Sequence, residues 1–392
     1  MTVLSNVRIP RSVRGFDSPA VLFDVAIAAG RVAAIRAAGG ACTGTLIPAM
    51  VDAHVHIDKT YTVGETGMVH GDLFAAIGRM AEHRTLWSAR VIRQRMERAL
   101  DEAWKSGVRA MRTHIDWPEP GVPPALMAFE AVRREWAGRI ELQFVSLTPL
   151  ELFGDELSGE VVAAEVARAG GVLGAFIYRD EGLDGKLERV YALARKHGLA
   201  LDFHVDEGLH ADAQGLASVA RATARHALHG RVTCSHCCSL SVQPREHAQA
   251  TLAACSVAGI HLVALPTTNL YLQGAWDETP VQRGITRLKE ARALRVGTSI
   301  GTDNVGDAFY PYGSYDLFET FCLGVQAAHL EPAGEWLDAV TVQPAAALGL
   351  AWDGRLREGC PADLVLLAAR ADPELLTPQG RRRTVYRNGT AL

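Results

Sequence analysis

The sequence predicts an α/β protein: a (β/α)8 TIM-type barrel with a small β-sandwich domain formed from both termini. Three observations predict it. Short β-rich runs alternate with longer helical runs from about residue 46 to residue 345. Eight β-rich runs can be counted in that span, each followed by a helical stretch, and eight is the number that closes such a sheet into a barrel. The two chain ends are β-like but too short to hold separate cores, so they are expected to assemble beside the barrel. At 392 residues the chain has room for a barrel of about 250 residues and one smaller module.

In order, the expected strand cores are 47–56 (IPAMVDAHVH), 108–115 (VRAMRTHI), 140–147 (IELQFVSL) and 171–178 (GVLGAFIY). They continue at 199–205 (LALDFHV), 231–236 (RVTCSH), 260–266 (IHLVALP) and 295–303 (RVGTSIGTD). The intervening helices show in the apolar spacing. From Arg84 to Ser106, residues Trp87, Val91, Met96, Leu100 and Ala103 fall three to five apart on one face, and Gly107 supplies the left-handed stop. The barrel is therefore expected over residues 47–351. Residues 1–46, with AGRVAAI, and 352–392, with ADLVLLA and TVYRNGTAL, are expected to form the composite β-sandwich domain. Beyond the β/α alternation there is no internal repeat and no low-complexity stretch.

Hydrophobic residues make up 48% of the chain and charged residues 21%, the balance of a compact globular protein. A formal net charge of −4 offers no basic face for nucleic acid or anionic lipid, so neither partner is expected. The N-terminus, MTVLSNVRIPRSVRGF, has no apolar core of signal-peptide length and no segment reaches the length of a membrane span, which leaves a cytoplasmic location as the expectation. Seven scattered cysteines are expected to be reduced thiols. Cys234, Cys237 and Cys238 surround a histidine, but no second Cys pair completes a sulfur-bound zinc site.

In β/α barrels the chemistry collects at the C-terminal ends of the strands. The first strand ends in His54-Val55-His56, and because side chains two apart share a face, both imidazoles point into the barrel mouth. The fifth strand ends at His204, the sixth at His236 and the eighth at Asp303. A single strand-end histidine is more often a hydrogen-bonded structural residue. Three imidazoles and a carboxylate around one axis, with a histidine to spare, instead make a metal site.

The strings VDAHVHIDKTYT, RTHID, LDFHVDE, RVTCSHCC, LQGAWDETPVQRGITRLKE and GTDNVGDAFYPYG follow the order seen in cytosine deaminase, over roughly residues 45–350. The chain resembles that cytosine deaminase-like branch of the amidohydrolase superfamily. The resemblance implies that His54, His56, His204 and Asp303 bind one divalent metal ion, Zn2+ or Fe2+. It implies that the ion lowers the pKa of a water from ~15.7 toward ~7. His236 would contact that water, and His236 with Asp303 would relay its protons. Glu207, three residues beyond His204, sets the reaction class: removing an amino group from a ring needs a proton on the ring nitrogen, which a neutral carboxylic acid supplies. The substrate would be a small molecule, and the resemblance leaves room for a homo-oligomer.

Several positions depart from the family pattern. Binuclear relatives such as dihydroorotase, hydantoinase and urease hold a second ion with a carboxylated lysine at the end of strand four, but here that strand reads AFIYRDEG, and Lys186 lies in the following segment. One ion is expected. The family reads its pyrimidine with a glutamine just after strand three; Pro149 stands there, with neither a side-chain donor nor an acceptor, which moves specificity away from cytosine. Asn304 replaces a second aspartate, Phe309 a tryptophan, and Tyr178-Arg179 a different loop. Lys59, in HIDK, is shared in type with a neighbouring branch resembling N-isopropylammelide amidohydrolase, which lacks the glutamate at the Glu207 position. Lys59, Trp117, Pro149, Arg179, Asn304 and Phe309 are the expected substrate-pocket residues. The expected activity is deamination of an amino-substituted nitrogen heterocycle: a cytosine-like pyrimidine, a triazine or a cyclic amidine. Hydrolysis of a cyclic or N-substituted amide without ammonia release is the alternative. A non-catalytic scaffold is a third reading, against which the full set of site residues weighs.

Overall fold

The computed structural model describes residues 2–392. Four strands precede the barrel: β1 (Thr2–Arg8), β2 (Leu22–Ala28), β3 (Arg31–Ala37) and β4 (Gly44–Pro48). Eight form it: β5 (Met50–Val55), β6 (Val108–Asp116), β7 (Glu141–Pro149), β8 (Val172–Ile177), β9 (Leu201–Val205), β10 (Val232–His236), β11 (His261–Ala264) and β12 (Gly297–Ile300). Three follow: β13 (Leu364–Leu367), β14 (Arg383–Arg387) and β15 (Thr390–Ala391).

Strands β5 to β12 lie side by side in sequence order, all parallel, as β/α alternation requires. Every residue of β5, β9 and β10 is buried, as expected of strands covered by helices on one side and filled by side chains on the other. The ring closes where β5 meets the end of β12, through a parallel bridge between Val55 and Asp303. There the Asp303 N–H donates to the His54 carbonyl at 2.9 Å.

The chain ends join in one seven-stranded sheet, ordered β15-β14-β13-β4-β1-β2-β3. They meet where β13 pairs antiparallel with β4, Val365 opposite Ile47. Two tight turns build its hairpins: Ala29-Gly30 between β2 and β3, and Asn388-Gly389 between β14 and β15, all four with positive φ. The run expected as one strand over 47–56 is divided. Ile47 and Pro48 belong to the terminal sheet and the barrel begins at Met50, the chain passing between sheets at Ala49.

The helix expected from Arg84 to Ser106 begins later, at Ala89. One helix spans Leu73–Arg84 and a second Ala89–Ser106, because the Ser88 side chain accepts from the Val91 N–H and starts a new N-terminus. Trp87 lies in the connection. Gly107 ends the second helix in the left-handed region at φ 108°, where a Cβ would also collide with Val365 of the terminal sheet at 2.5 Å. Among the described residues, no helix is long and apolar enough to cross a membrane. All seven cysteines are free thiols.

Candidate functional site

Four donor atoms converge at the barrel mouth. His54 Nε2 lies 3.3 Å from His56 Nε2, and His204 Nε2 lies 3.2 Å from the same atom. Asp303 Oδ1 stands 3.4 Å from His54 Nε2 and 3.2 Å from His56 Nε2. All four side chains are buried, and neither Asp303 oxygen has a hydrogen-bond donor among the described residues. Burial, reinforced for His54 by His114, lowers the His54 pKa to about 4, and burial holds His56 and His204 well below the usual imidazole value. Although burial alone would raise it, the facing His54 and His56 rings hold the Asp303 carboxyl well below the usual range. The result is a dry cluster of three neutral rings and a carboxylate, a donor set suited to a cation.

The spacing supplies a test of fit. Ligand atoms at about 2.0–2.1 Å from a tetrahedral ion stand about 3.3–3.4 Å apart. Candidate ligand atoms of His54, His56 and Asp303 all lie within 4.8 Å of one another, at separations of 3.2–3.4 Å, and His204 adjoins this trio through His56 at 3.2 Å. Two further contacts fix which ring nitrogens face inward. His56 Nδ1 donates to the His114 carbonyl at 3.2 Å, which leaves the Nε2 lone pair free, and His54 Nδ1 shares a hydrogen bond of 2.8 Å with Ser235 Oγ. The donor types of this trio, with His204 beside it, suit a divalent ion.

Proton-carrying groups stand beside the cluster. Glu207 is buried, and burial together with the Asp303 charge pushes its carboxyl well above the usual range, against the pull of Lys59. Burial thus favours its protonated form. Its Oε1 lies 3.3 Å from His236 Nδ1, which also accepts from Asn269 Nδ2 at 3.0 Å. Burial lowers the His236 pKa to about 3, so the ring is neutral. With Nδ1 accepting, its proton resides on Nε2, which has no partner among the described residues. His236 and Asp303 both sit in the left-handed backbone region, at φ 69° and 67°, a strain of about 1–3 kcal/mol each that is concentrated at functional positions.

A cavity of about 320 Å³ opens onto these groups, with His56, His204, Glu207 and His236 on its wall. Of the expected pocket residues, Lys59, Pro149, Asn304 and Phe309 line it. Lys59 is buried, donates to Asp116 Oδ1 at 2.7 Å and stands 4.9 Å from the Phe309 ring centre. Asn304 Nδ2 donates to Asp307 Oδ2 at 2.7 Å, and Asp307 in turn accepts from the Phe309 and Tyr310 N–H groups, which folds the loop that presents Phe309.

Trp117 and Arg179 are not brought to the cavity. Asp116 and Pro118 line it, so Trp117 between them points the other way, fully buried in the core. Arg179 turns outward at φ 55° to pair with Asp212 at 2.9 Å. Lys186, on the helix Leu183–His197, does not line the cavity itself but pairs at 3.1 Å with Glu151, which does.

Other participants went unassigned in the sequence. Arg84 lines the cavity and pairs with Asp116 Oδ2 at 2.9 Å, while Leu73, Phe74, Ile77 and Met80 from the same helix form an apolar wall. His114 stacks on His54 with ring centres 3.8 Å apart. The RTHID string, which repeats the HID of HVHID, was the available signal for His114 and Asp116.

Comparison with known proteins agrees with this fold. The chain matches the amidohydrolase family over residues 66–390. It is 35% identical to pterin deaminase of Rhizobium rhizogenes, over 100% of this chain and 93% of that protein. Its structure superposes on that of 5-methylcytosine deaminase from Klebsiella pneumoniae, crystallised with 5-fluorocytosine, with a TM-score of 0.87 and 27% identity, over 100% and 97% of the two chains. It shares its fold with N-isopropylammelide isopropylaminohydrolase from Burkholderia multivorans, at a TM-score of 0.79 and 24% identity, over 100% and 98% of the chains.

Proposed function

This chain belongs to the amidohydrolase family, and from that premise we propose that it is a mononuclear metal-dependent aminohydrolase whose substrate is a pterin-like 2-amino-4-oxo heterocycle. The observation that carries the proposal is the cluster of His54, His56 and Asp303, with His204 beside it, next to a buried Glu207 on the wall of one cavity. His54, His56, His204 and Asp303 hold the ion, Zn2+ or Fe2+, and β8 offers no lysine for a second. When bound, the ion supplies a nucleophile at neutral pH by lowering the pKa of water toward ~7.

The chain's own groups then direct the proton traffic. Glu207 donates to the ring nitrogen next to the carbon that bears the amino group, which makes that carbon electrophilic. As the carboxylate so formed, it takes a proton from the attacking water and returns it to the amino group, which leaves as ammonia; the remaining hydroxyl proton passes to Glu207 as the new carbonyl forms, which restores the acid. His236, neutral and carrying its proton on Nε2, orients the attacking oxygen, and Asn269 fixes its tautomer. Lys59, held by Asp116, and Asn304 face the substrate's polar edge. The apolar helix wall and Phe309 sandwich a flat ring system. The identity to pterin deaminase and the absence of an amide at Pro149 favour the fused ring over cytosine.

The test is ammonia release from pterin, 5-methylcytosine, cytosine and an aminotriazine, with product mass, after loading one equivalent of Zn2+ or Fe2+. Ammonia from pterin, with oxygen replacing NH in the product, is the expected result. Loaded enzyme inert on every ring overturns the proposal, and a product heavier by one water without ammonia points to amide hydrolysis.

A further inference from the structure

Beneath the donor cluster, the barrel interior holds a line of polar groups that the reaction does not use. Arg112 is anchored at the floor: its Nε and Nη2 donate to Gln143 Oε1 at 3.1 and 2.9 Å, and Nη2 also reaches the Ala347 carbonyl at 3.2 Å. Gln143 Nε2 donates in turn to the Leu348 carbonyl at 2.8 Å. Above this anchor, Asp202 divides its two oxygens. Oδ2 accepts from Arg112 Nη1 at 2.9 Å, and Oδ1 faces His114 Nε2 at 3.2 Å. Since an ionised carboxylate only accepts, His114 must carry a proton on Nε2.

His114 touches both ligands of the HVH pair, by different means. Its ring stacks on His54 at 3.8 Å between centres and 28° between planes, and its carbonyl takes the Nδ1 proton of His56 at 3.2 Å. Arg112, His114 and Asp202 are all buried. An ion pair serving the core alone would be complete with Arg112 and Asp202; the second Asp202 oxygen is spent on His114.

We infer that Arg112, Asp202 and His114 form a positioning column that transmits the rigidity of the barrel floor to His54 and His56, holding their Nε2 atoms at the separation a cation needs. Partners of this kind, one shell removed from the ion, set metal affinity by about 10–100-fold. The inference rests on the metal-centre reading above.

Asp202→Asn keeps the shape but removes the charge, and His114→Phe keeps the stacking surface but removes the link to Asp202. Each metal-free variant is titrated with Zn2+ against a chromophoric chelator, its melting temperature is measured, and the visible spectrum of its Co2+ form is recorded. The expected result is about 10–100-fold weaker Zn2+ binding and an altered Co2+ spectrum in folded protein. A merely structural role would move the melting temperature alone. If Asp202→Asn fails to fold, His114→Phe decides. Zn2+ affinity within threefold of the parent and an unchanged Co2+ spectrum overturn the inference. A parent protein that binds no ion overturns the metal-centre reading instead.

Discussion

Glu207→Gln isolates the proton-transfer step. The amide has the size of the carboxylic acid it replaces, so the contact with His236 Nδ1 at 3.3 Å and the shape of the cavity wall are retained. What is lost is the transferable proton, which burial favours keeping on the carboxyl of the parent. General-acid catalysis contributes about 10²–10⁴-fold, which corresponds to about 3–5 kcal/mol of barrier. Because Glu207 is outside the four-donor cluster, metal content should stay at one ion per chain and KM should move little while kcat falls by that factor. The parent's activity should decline as pH rises through the elevated Glu207 pKa, since only the acid form donates; that limb should vanish in the variant. Steady-state kinetics across pH, with metal analysis on the same samples, measures all three. A loss below tenfold, or metal lost in step with activity, would refute the assignment of Glu207 as proton carrier.

Three other outcomes follow from the geometry. His54→Ala should remove bound metal and turnover together, as metal analysis alongside the ammonia assay would register, because His54 supplies one corner of the donor cluster. His261, whose pKa burial lowers to about 4 and which hydrogen-bonds Ser299 at 2.7 Å, stabilises the fold fully above its unfolded pKa near 6.5; that contribution is lost as pH falls toward 4. The gap caps the effect at about 3 kcal/mol, and partial exposure of the residue brings it to the order of 2, so urea midpoints of His261→Gln should lose less than those of the parent between those pH values. Gly174→Ala would place a Cβ 2.3 Å from Val145 Cγ1 and 2.7 Å from the Asp202 carbonyl, overpacking the barrel by about 1–3 kcal/mol; thermal melting should fall by several degrees, and an unchanged melt would contradict this packing.

The barrel and the clustered donors were legible because each depends on local pattern. The HVH spacing places two rings on one face whatever else the chain does, and β/α alternation orders the strands. What escaped depended on parity or on distant packing. Trp117 lies one residue past β6, where a shift of one position exchanges cavity for core, and Asp116 and Pro118 took the inward places. Arg84 reads as helix surface, and only the docking of Leu73–Arg84 across the barrel mouth turns it inward. Ile47 and Pro48 belong to an unbroken buried run, so periodicity gave no sign that the chain changes sheets at Ala49. The column below the site joins residues from β6, β7 and β9 whose partners are separated by up to hundreds of positions, as in the contact of Arg112 with Ala347.

The bridge between Val55 and Asp303 gives the cation a second office. His54 and His56 flank or adjoin the first wall of the ring and Asp303 follows the last, roughly 250 positions later in the chain. An ion gripping all three would act as a buckle on a belt, drawing together the first and last strands of the barrel. Its departure should let amide protons near that clasp exchange first, so the metal would guard the integrity of the hoop as well as perform chemistry within it.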